Sequence, residues 1–491
     1  MKTFEESKKF PWKSFKDKNE TLYRWFKLTA MGQDEDETNE NLESKDDENS
    51  EKNEDFFSKM IGIYSQVKFC KFRSADKECG IPYDPGFENK AEYELHSYED
   101  KNFEKNMAIQ EEKLQPLYKE IHAYIRKKLI QNHKKENIKK NGPIPAHLLG
   151  DMYAQTWVTI FPTVKPYPDI RGFPNVTKEM LEKKMKPIDL FIMAENFFTS
   201  IGLKRMTPYF WKYSLMERPK DGRSVDCHAS AHDFYDGKDY RIKMCSVVDT
   251  STLEVVHHEM GHIEYQMYYA HHPHVFQDSA NPGFHEAIGN VISLSVMTPG
   301  YLREVGLLGK EEQETDERPT INYLMNMALR YAVSAHYSYI VDYWRNRVYN
   351  GTIKEKELNK KYWEYRYFYA NILQFQIHQI LCKEADHKGP LHECNIYKKK
   401  KAGKLFEKLL KIGKSKDWKE ILKIVSKNET DKLDSSAMLE YFEPLMEWLK
   451  KDNKKNTKDG KVKIQCHVLE QKTLDQNASI NISWAKSFPR F

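Results

Sequence analysis

Two neighbouring stretches decide how this sequence is interpreted: VVHHEMGHIEY at residues 255–265 and ANPGFHEAIGN at residues 280–290. In the first, His258 and His262 are four residues apart, so on a helix both imidazoles project from one face and can share one metal ion. Glu259 directly follows the first histidine, where its carboxylate can reach a water molecule rather than the metal. This spacing predicts a helix that carries a metal-dependent site.

The second stretch contributes a third candidate ligand. A second helix is predicted to begin at Asn281-Pro282, because asparagine is a good N-cap and proline is tolerated in the first turn. Glu286 falls early on that helix, 24 residues after His262. Two histidines and one carboxylate, with a fourth position open, suit zinc. The prediction is one zinc ion held by His258, His262 and Glu286; the alternative is an ordinary surface helix that carries two histidines.

The residues around this set are assigned other roles. Ser251 followed by Glu254 has the pattern of a capping box, which predicts the start of the first helix. His257 faces away from the ligand pair and is predicted to be structural. A polar loop, rather than a second metal site, is predicted for the remaining nearby histidines, His271, His272 and His274.

The bulk composition excludes several classes of protein. With 78 basic and 73 acidic residues and a formal net charge of +5 among 491 residues, the chain does not resemble a dedicated nucleic-acid binder. No apolar run approaches the roughly 20 residues that a membrane helix needs. The N-terminal MKTFEESKKF lacks the apolar run of a secretory signal, so either the protein is not secreted or its signal is absent from this sequence.

Three segments are predicted along the chain. Residues 34–55 are about half Asp and Glu, so residues 1–55 are predicted to be an acidic, disordered segment. Residues 56–450 are predicted to form the helical domain. Residues 451–491, which begin with KDNKKNTKDGK, are predicted to be a separate basic and polar tail.

The hydrophobic pattern predicts an all-α fold with a minor β element. Apolar residues recur at helical spacing from Leu114 to Leu129, with Pro116 in the first turn, and again from Ile321 to Tyr349. A hairpin is predicted at residues 234–244, where Asp236-Gly237 is a tight-turn dipeptide. Shorter helices are predicted near residues 403–412, 418–426 and 435–450.

The seven cysteines fall into three local pairs and one odd residue. The spacing favours three small disulfide loops and a free thiol at Cys466, whereas seven reduced cysteines in a cytosolic protein are the alternative. The pairs are Cys70 with Cys79, Cys227 with Cys245, and Cys382 with Cys394. Glycosylation triplets weakly favour the secretory pathway, and they lie at Asn19, Asn175, Asn350, Asn428, Asn477 and Asn481.

Several longer segments resemble the angiotensin-converting enzyme family, the zinc peptidyl-dipeptidases. Besides the two stretches quoted above, they are GPIPAHLLGDMYAQTW from Gly142, ENFFTSIGL from Glu195, the segment from Phe210 to Cys245 that contains CHASAHDFYDGKDYRIKMC, and QFQIHQILCKEADHKGPLHECNIY from Gln374. The resemblance spans roughly residues 114–450. It implies a mostly helical ellipsoid with a deep internal cleft, an extracellular location and short peptides as substrates.

The resemblance also implies roles for particular residues. The predicted ligands match the family's zinc ligands, and Glu259 matches its general base. Gln155 matches a residue that receives the substrate's C-terminal carboxylate. His228 and Ala229 match a wall that pairs with the peptide backbone. The three cysteine pairs match the family's three disulfides.

The sequence departs from the family in ways that bear on activity. Between Tyr369 and Gln374 it lacks a segment that carries two donors for the tetrahedral intermediate, a carboxylate-binding lysine and tyrosine, and a chloride-binding arginine. The region between Cys79 and Leu114 is also short, so Arg366 matches only part of a chloride site. Asn290 stands where the family has a carboxylate that orients a ligating histidine.

Two hypotheses follow from these matches and departures. The first is a zinc metallopeptidase that removes C-terminal dipeptides from short peptides, with reduced activity because the donors are missing. The second is a weak or inactive zinc-binding relative that binds peptides or a protein partner.

Overall fold

The computed structural model describes residues 23–24, 89–151, 153–170, 174–309, 316–354 and 368–455. These residues are mostly helical, with one two-stranded antiparallel sheet, which confirms the predicted all-α fold with a minor β element. No helix within these ranges has the length and apolar character needed to cross a bilayer.

In chain order the α-helices are α1 (Lys90–His96), α2 (Phe103–Asn132), α3 (Phe161–Val164), α4 (Thr177–Glu182), α5 (Pro187–Ile201), α6 (Pro208–Tyr213), α7 (Thr250–Tyr269), α8 (Pro282–Val296), α9 (Pro299–Glu304), α10 (Arg318–Met327), α11 (Val333–Tyr349), α12 (Phe368–Glu384), α13 (Lys400–Ile412), α14 (Trp418–Val425), α15 (Ser436–Tyr441) and α16 (Glu443–Lys455). The strands are β1 (Ser230–Asp233) and β2 (Tyr240–Lys243).

Helix α8 lies at the centre of the core, between α7 and α12. Its apolar side chains are almost all buried, because helices cover it on more than one side. The side chains that fill these contacts include Leu253, Met260, Ile288, Val291, Ile292, Ile372, Leu373 and Phe375. The two helices that carry the predicted ligands are therefore packed against each other within the buried core of the described residues.

The predicted hairpin is confirmed, although its strands lie slightly earlier than the pattern suggested. Ser230 pairs with Lys243 and Asp233 with Tyr240. Asp236 lies in the turn, where its carboxylate accepts the backbone N–H of Lys238 at 2.8 Å. Strand β1 packs against α7, so the sheet lies beside the helix of the metal ligands.

The predicted helix from Leu114 is longer than the pattern indicated, and the placement of Pro116 was wrong. Helix α2 begins at Phe103, so Pro116 lies inside it rather than in its first turn. The segment before Leu114 is helical too, with Met107 buried, but its more polar composition concealed the periodicity. The proline is tolerated at the cost of one backbone hydrogen bond.

The other predicted helices are confirmed with shifted ends. The run from Ile321 to Tyr349 is helical throughout, with α10 and α11 joined by a π-helical turn at Ala328–Ala332. The helix predicted near residues 435–450 is divided at Phe442 into α15 and α16. Helix α16 continues to Lys455, past the predicted start of the tail at residue 451.

Two of the three predicted disulfides are confirmed. Cys227–Cys245 and Cys382–Cys394 have S–S distances of 2.02 and 2.04 Å. The first joins the segment before β1 to the end of β2 and so closes the hairpin. Cys70, Cys79 and Cys466 lie outside the described residues, as does almost all of the segment 1–55.

The chain divides into two compact units. The smaller comprises residues 1–99 and 346–353; its described part includes α1 and the ion pair between Arg24 and Glu99 at 2.5 Å. The larger comprises residues 100–345 and 354–491 and contains all of the predicted metal ligands.

Candidate metal centre

Helix α7 begins at a different cap from the predicted one. Asp249 is the N-cap, and its carboxylate accepts the N–H of Thr252 at 2.7 Å. Ser251 already lies within the helix, so the predicted capping box is wrong. Glu254 instead points into the protein, where its carboxylate accepts hydrogen bonds from Arg330 and Tyr331.

Helix α8 begins as its sequence predicts. The side chain of Asn281 accepts the N–H of Gly283 at 3.1 Å, and Pro282 occupies the first turn. The amide of Asn281 also donates to the hydroxyl of Tyr369 at 3.1 Å, which ties the start of α8 to α12. Glu286 is thereby held one turn into the helix.

The three predicted ligands converge. Nε2 of His258 lies 3.0 Å from Nε2 of His262 and 3.6 Å from Oε2 of Glu286. One ligand atom from each residue can be chosen so that all lie within 4.8 Å of one another. The ligand atoms of a tetrahedral zinc ion with bonds of about 2.0–2.1 Å stand roughly 3.3 Å apart. The donor types and their separations therefore fit zinc.

The surroundings keep the two imidazoles in the form that binds a metal. Burial lowers the pKa of His258, and the nearby carboxylate of Glu286 opposes this shift only in part. Burial, with the neighbouring rings of His258 and His285, holds the pKa of His262 well below its usual value. Both rings are therefore neutral at neutral pH, with lone pairs available for a metal ion.

Glu259 is buried beside this set without being part of it. Burial, and then the charge of Glu286, raise its pKa to about 7. A cation held by the three ligands would favour the charged carboxylate and oppose that shift. Without a bound cation, the carboxyl group can therefore exchange a proton near neutral pH.

Two neighbouring side chains orient the histidines. The side chain of Asn290 hydrogen-bonds His258. Nδ1 of His262 lies 3.1 Å from Nδ1 of His285, whose Nε2 lies 3.3 Å from the hydroxyl of Tyr269. With Nε2 of His262 facing the metal position, its Nδ1–H donates to His285, and His285 donates to the tyrosine. His285 was not among the predicted site residues, and its place next to Glu286 is the one signal in the sequence that pointed to it.

Two glycines bring the ligands together, and sequence reasoning missed these as well. A Cβ atom on Gly261 would lie 3.4 Å from Cα of Gly289, so α7 and α8 approach closely at this point. The ring of His258 lies against Gly289, where a Cβ atom would be only 2.7 Å from it. Glycine inside a helix lowers the stability of the helix by about 1 kcal/mol relative to alanine. A glycine at position 261 or 289 of a predicted helix therefore indicates close packing.

We expect Gly289→Ala to weaken zinc binding about 10–100-fold, the range typical of changes next to a ligand. The added methyl group would overlap the ring of His258 and displace it. Competition with a chromophoric chelator would measure the affinity, and a thermal melt would confirm folding. Gly309→Ala is the control, because no atom of the described residues lies within 4 Å of a Cβ atom there. Equal affinities for the two variants would refute this role of Gly289.

The predicted substrate residues lie on two other segments. Gln155 is half-buried between two short 3₁₀-helices, Ala146–Leu149 and Val158–Ile160. His228 is exposed just before β1, and its Nδ1–H donates to the carbonyl of Ala229 at 2.9 Å. None of these three residues hydrogen-bonds the metal ligands within the described part of the chain. Arg366 lies outside the described residues.

The remaining histidines do not form a second metal site among the described residues. His257 is buried, with Nδ1 2.7 Å from the carbonyl of Leu253 and Nε2 3.2 Å from the hydroxyl of Tyr301. His378 lies close to Cys382 and Cys394, but the disulfide occupies both sulfur atoms. His271 and His272 follow the end of α7, whereas His274, predicted to lie in the same polar loop, begins the 3₁₀-helix His274–Phe276.

Comparison with known proteins agrees with this geometry. The sequence profile of the family described as angiotensin-converting enzyme matches residues 82–366 and 364–460. Angiotensin-converting enzyme of Rattus norvegicus is 41% identical over 76% of this chain and 30% of its own length. That of Mesocricetus auratus is 42% identical over 73% of this chain and 30% of its own length. The chain thus spans less than a third of these mammalian relatives.

A relative of similar length extends the match. Angiotensin-converting enzyme of Theromyzon tessulatum is 33% identical over 92% of this chain and 84% of its own length. The matched residues include all three converging ligands and Glu259. The chain belongs to the angiotensin-converting enzyme family.

Proposed function

We propose that the protein is a zinc metallopeptidase that removes dipeptides from the C-terminus of short peptides, with reduced activity. The observation that carries this proposal is the convergence of His258, His262 and Glu286, with Glu259 buried beside them. The family membership supports a peptidase, and the expected cofactor of this family is Zn²⁺.

The residues present would divide the reaction between them. A bound zinc ion would supply Lewis acidity, which lowers the pKa of a water molecule and polarises the peptide carbonyl. Glu259 would take the proton from the attacking water and later give it to the leaving amine. Glu286 would contribute negative charge and hold the histidines at their spacing.

Strand β1 offers an edge for the peptide backbone. It pairs with β2 on one side, and no other described strand lies on its far side. His228 and Ala229 lie at the start of this edge, where an extended peptide could add as a further strand. Gln155 would receive the terminal carboxylate. Arg366 would be part of an incomplete chloride site.

The reduced activity rests on the start of α12. Tyr369 to Gln374, where the resemblance implies that a family segment is missing, form the first turns of a buried helix. The alignment with the Theromyzon tessulatum relative runs over 533 positions, whereas this chain has 491 residues, which is consistent with a shortened chain. The same observation favours the second candidate function, an inactive relative that binds peptides.

An extracellular location is part of the proposal. Two disulfides persist more readily in an oxidising compartment than in the cytosol. In the glycosylation triplets that lie within the described residues, the asparagines are exposed, as glycosylation requires; they are Asn175, Asn350 and Asn428.

The proposal predicts one zinc ion per chain and peptide hydrolysis that a chelator stops. Metal analysis of the purified protein would measure the zinc content. Turnover of a quenched short peptide, with and without chelator, would measure the hydrolysis. His258→Ala should lose the metal, whereas His271→Ala, two residues after the end of the same helix, should keep it. A parent protein without stoichiometric zinc that behaved like His258→Ala would refute the metal site.

Restoring the family's carboxylate should strengthen the site. We expect Asn290→Asp to raise zinc affinity about 10–100-fold, because a carboxylate accepts from the imidazole of His258 more strongly than an amide does. Chelator competition at several pH values is the measurement. An unchanged affinity would show that the amide already orients the ring fully.

A further inference from the structure

Helix α13 carries a row of lysines along its solvent-facing side. Lys400, Lys404 and Lys408 are four residues apart, and Lys411 follows three residues later. Residues at these spacings lie on one side of a helix, so the row extends for roughly 16 Å along α13. All four lysines are exposed, whereas the opposite side of the helix is buried; it is formed by Ala402, Gly403, Phe406, Leu409 and Leu410.

Few carboxylates offset the charge of this lysine row. Nζ of Lys400 donates to the carbonyl of Thr199 at 3.2 Å, and Nζ of Lys411 lies 2.7 Å from the carboxylate of Glu407. The other two lysines form no ion pair with the described residues. The row therefore retains most of its positive charge for a partner outside the chain.

A basic cavity adjoins the C-terminal end of the lysine row. Its volume is about 710 Å³, and its walls include Lys204, Arg205, Tyr268, His271 and Lys411. No Asp or Glu of the described residues lines it. A concave surface with charges of one sign raises the local concentration of the opposite ion, so this cavity attracts anions.

The cations of the basic cavity are held in place and still have free donors. Nζ of Lys204 donates to one backbone carbonyl at 2.7 Å and lies 4.4 Å from the centre of the Tyr268 ring. Nζ of Lys411 lies 5.8 Å from the same ring centre. The side chain of Arg205 is 77% exposed, and its Nη1 lies 3.3 Å from Glu195. Since an ammonium group has three N–H donors and a guanidinium five, each cation can still donate to an anionic ligand.

These features favour a sulfated polysaccharide over two other polyanions. Binding to an anionic membrane uses an apolar helix face that enters the lipid, and the apolar face of α13 is buried in the core. Single-stranded nucleic acid stacks its bases on aromatic side chains, and the exposed residues of α13 include none. The two disulfides favour an extracellular location, where sulfated polysaccharides are the common polyanions.

We propose that the lysine row of α13 and the adjoining basic cavity bind a sulfated polysaccharide. Clusters of basic residues are typical of heparin-binding surfaces. The sulfate groups would lie along the lysine row, and one sulfated sugar unit would enter the cavity beside Lys204 and Arg205. Binding would retain the protein at a polysaccharide surface. The inference rests on the proposed extracellular location and is independent of the peptidase activity.

The test measures binding of a fluorescent heparin hexasaccharide to the full chain by anisotropy, over a series of salt concentrations. The row variant replaces three lysines of α13 with glutamine, a good helix former; it is Lys400→Gln, Lys404→Gln and Lys408→Gln. The cavity variant is Lys204→Gln with Arg205→Gln. The control variant removes three charges from the exposed segment after α2; it is Lys134→Gln, Lys135→Gln and Lys139→Gln. Thermal melts would confirm that each variant folds.

We expect the row variant to bind the hexasaccharide about 100-fold more weakly than the parent, because each lysine beside a polyanion contributes roughly fivefold to affinity. The cavity variant lacks two cations and should bind about 25-fold more weakly for the same reason. Both variants should show a shallower dependence on salt, since fewer counterions are released. The control variant should bind like the parent.

A row or cavity variant with the affinity of the parent would overturn the inference. A control variant that lost as much affinity as the row variant would overturn it too, because binding would then depend only on net charge. The same holds for a parent that bound duplex DNA or phosphatidylserine vesicles as tightly as heparin, or that bound no heparin at physiological salt. Heparin binding without peptide hydrolysis would instead refute only the proposed peptidase activity.

Discussion

Replacing Glu259 with glutamine is expected to lower kcat for a short peptide by about 10²–10⁴-fold, the usual contribution of a general acid–base residue. Glutamine has the same shape but cannot take a proton from water. Zinc content should stay at one per chain, because Glu259 is not among the converging ligands. Turnover of a quenched peptide and metal analysis of the same sample would measure both effects.

Glu264→Gln is the matched control for this substitution. Glu264 is also a buried glutamate on α7, and burial holds its pKa well above the usual value, which favours the uncharged carboxyl group. Glutamine has nearly the same size and carries no charge, and activity should change little. If Glu259→Gln kept more than about a tenth of the parent's kcat, about 1.4 kcal/mol in barrier, Glu259 would not be the base.

The second large effect is a low kcat of the unsubstituted protein itself. Its kcat is expected to be at least about 10²-fold below that of a full-length relative, because losing one preorganised donor to the tetrahedral intermediate typically costs about 10²–10³-fold. Chloride should not activate it, since the predicted chloride site is incomplete. Steady-state kinetics of both proteins, with one peptide and over a chloride series, would test this.

Equal zinc occupancy of the two proteins is the necessary control, because partial loading would also lower kcat. A turnover within about tenfold of the relative would show that other residues replace the missing donors. Chloride activation would indicate a complete anion site. In either case the proposed loss of a segment after Tyr369 would affect catalysis less than we infer.

Local sequence determined much of this fold. The hairpin, the run from Ile321 to Tyr349 and the start of α8 at Asn281 all rest on contacts between residues close in the chain. The wrong predictions concern the starts of two helices, where the local sequence allows more than one start. Asp249, two residues before the predicted Ser251, is the residue that caps α7, and α2 extends through polar turns to Phe103.

Sequence by itself determined that His258 and His262 can share an ion and that Glu259 lies next to them, because the helical repeat places residues four apart on one face. Tertiary structure alone decided that Glu286 reaches this pair. Its ligand atom comes from a second helix, and the approach of α7 to α8 depends on Gly261 facing Gly289. The contacts of His285, and the link from Arg330 to Glu254, likewise join residues far apart in the chain. No local periodicity encodes such contacts, because they arise only when packed helices meet.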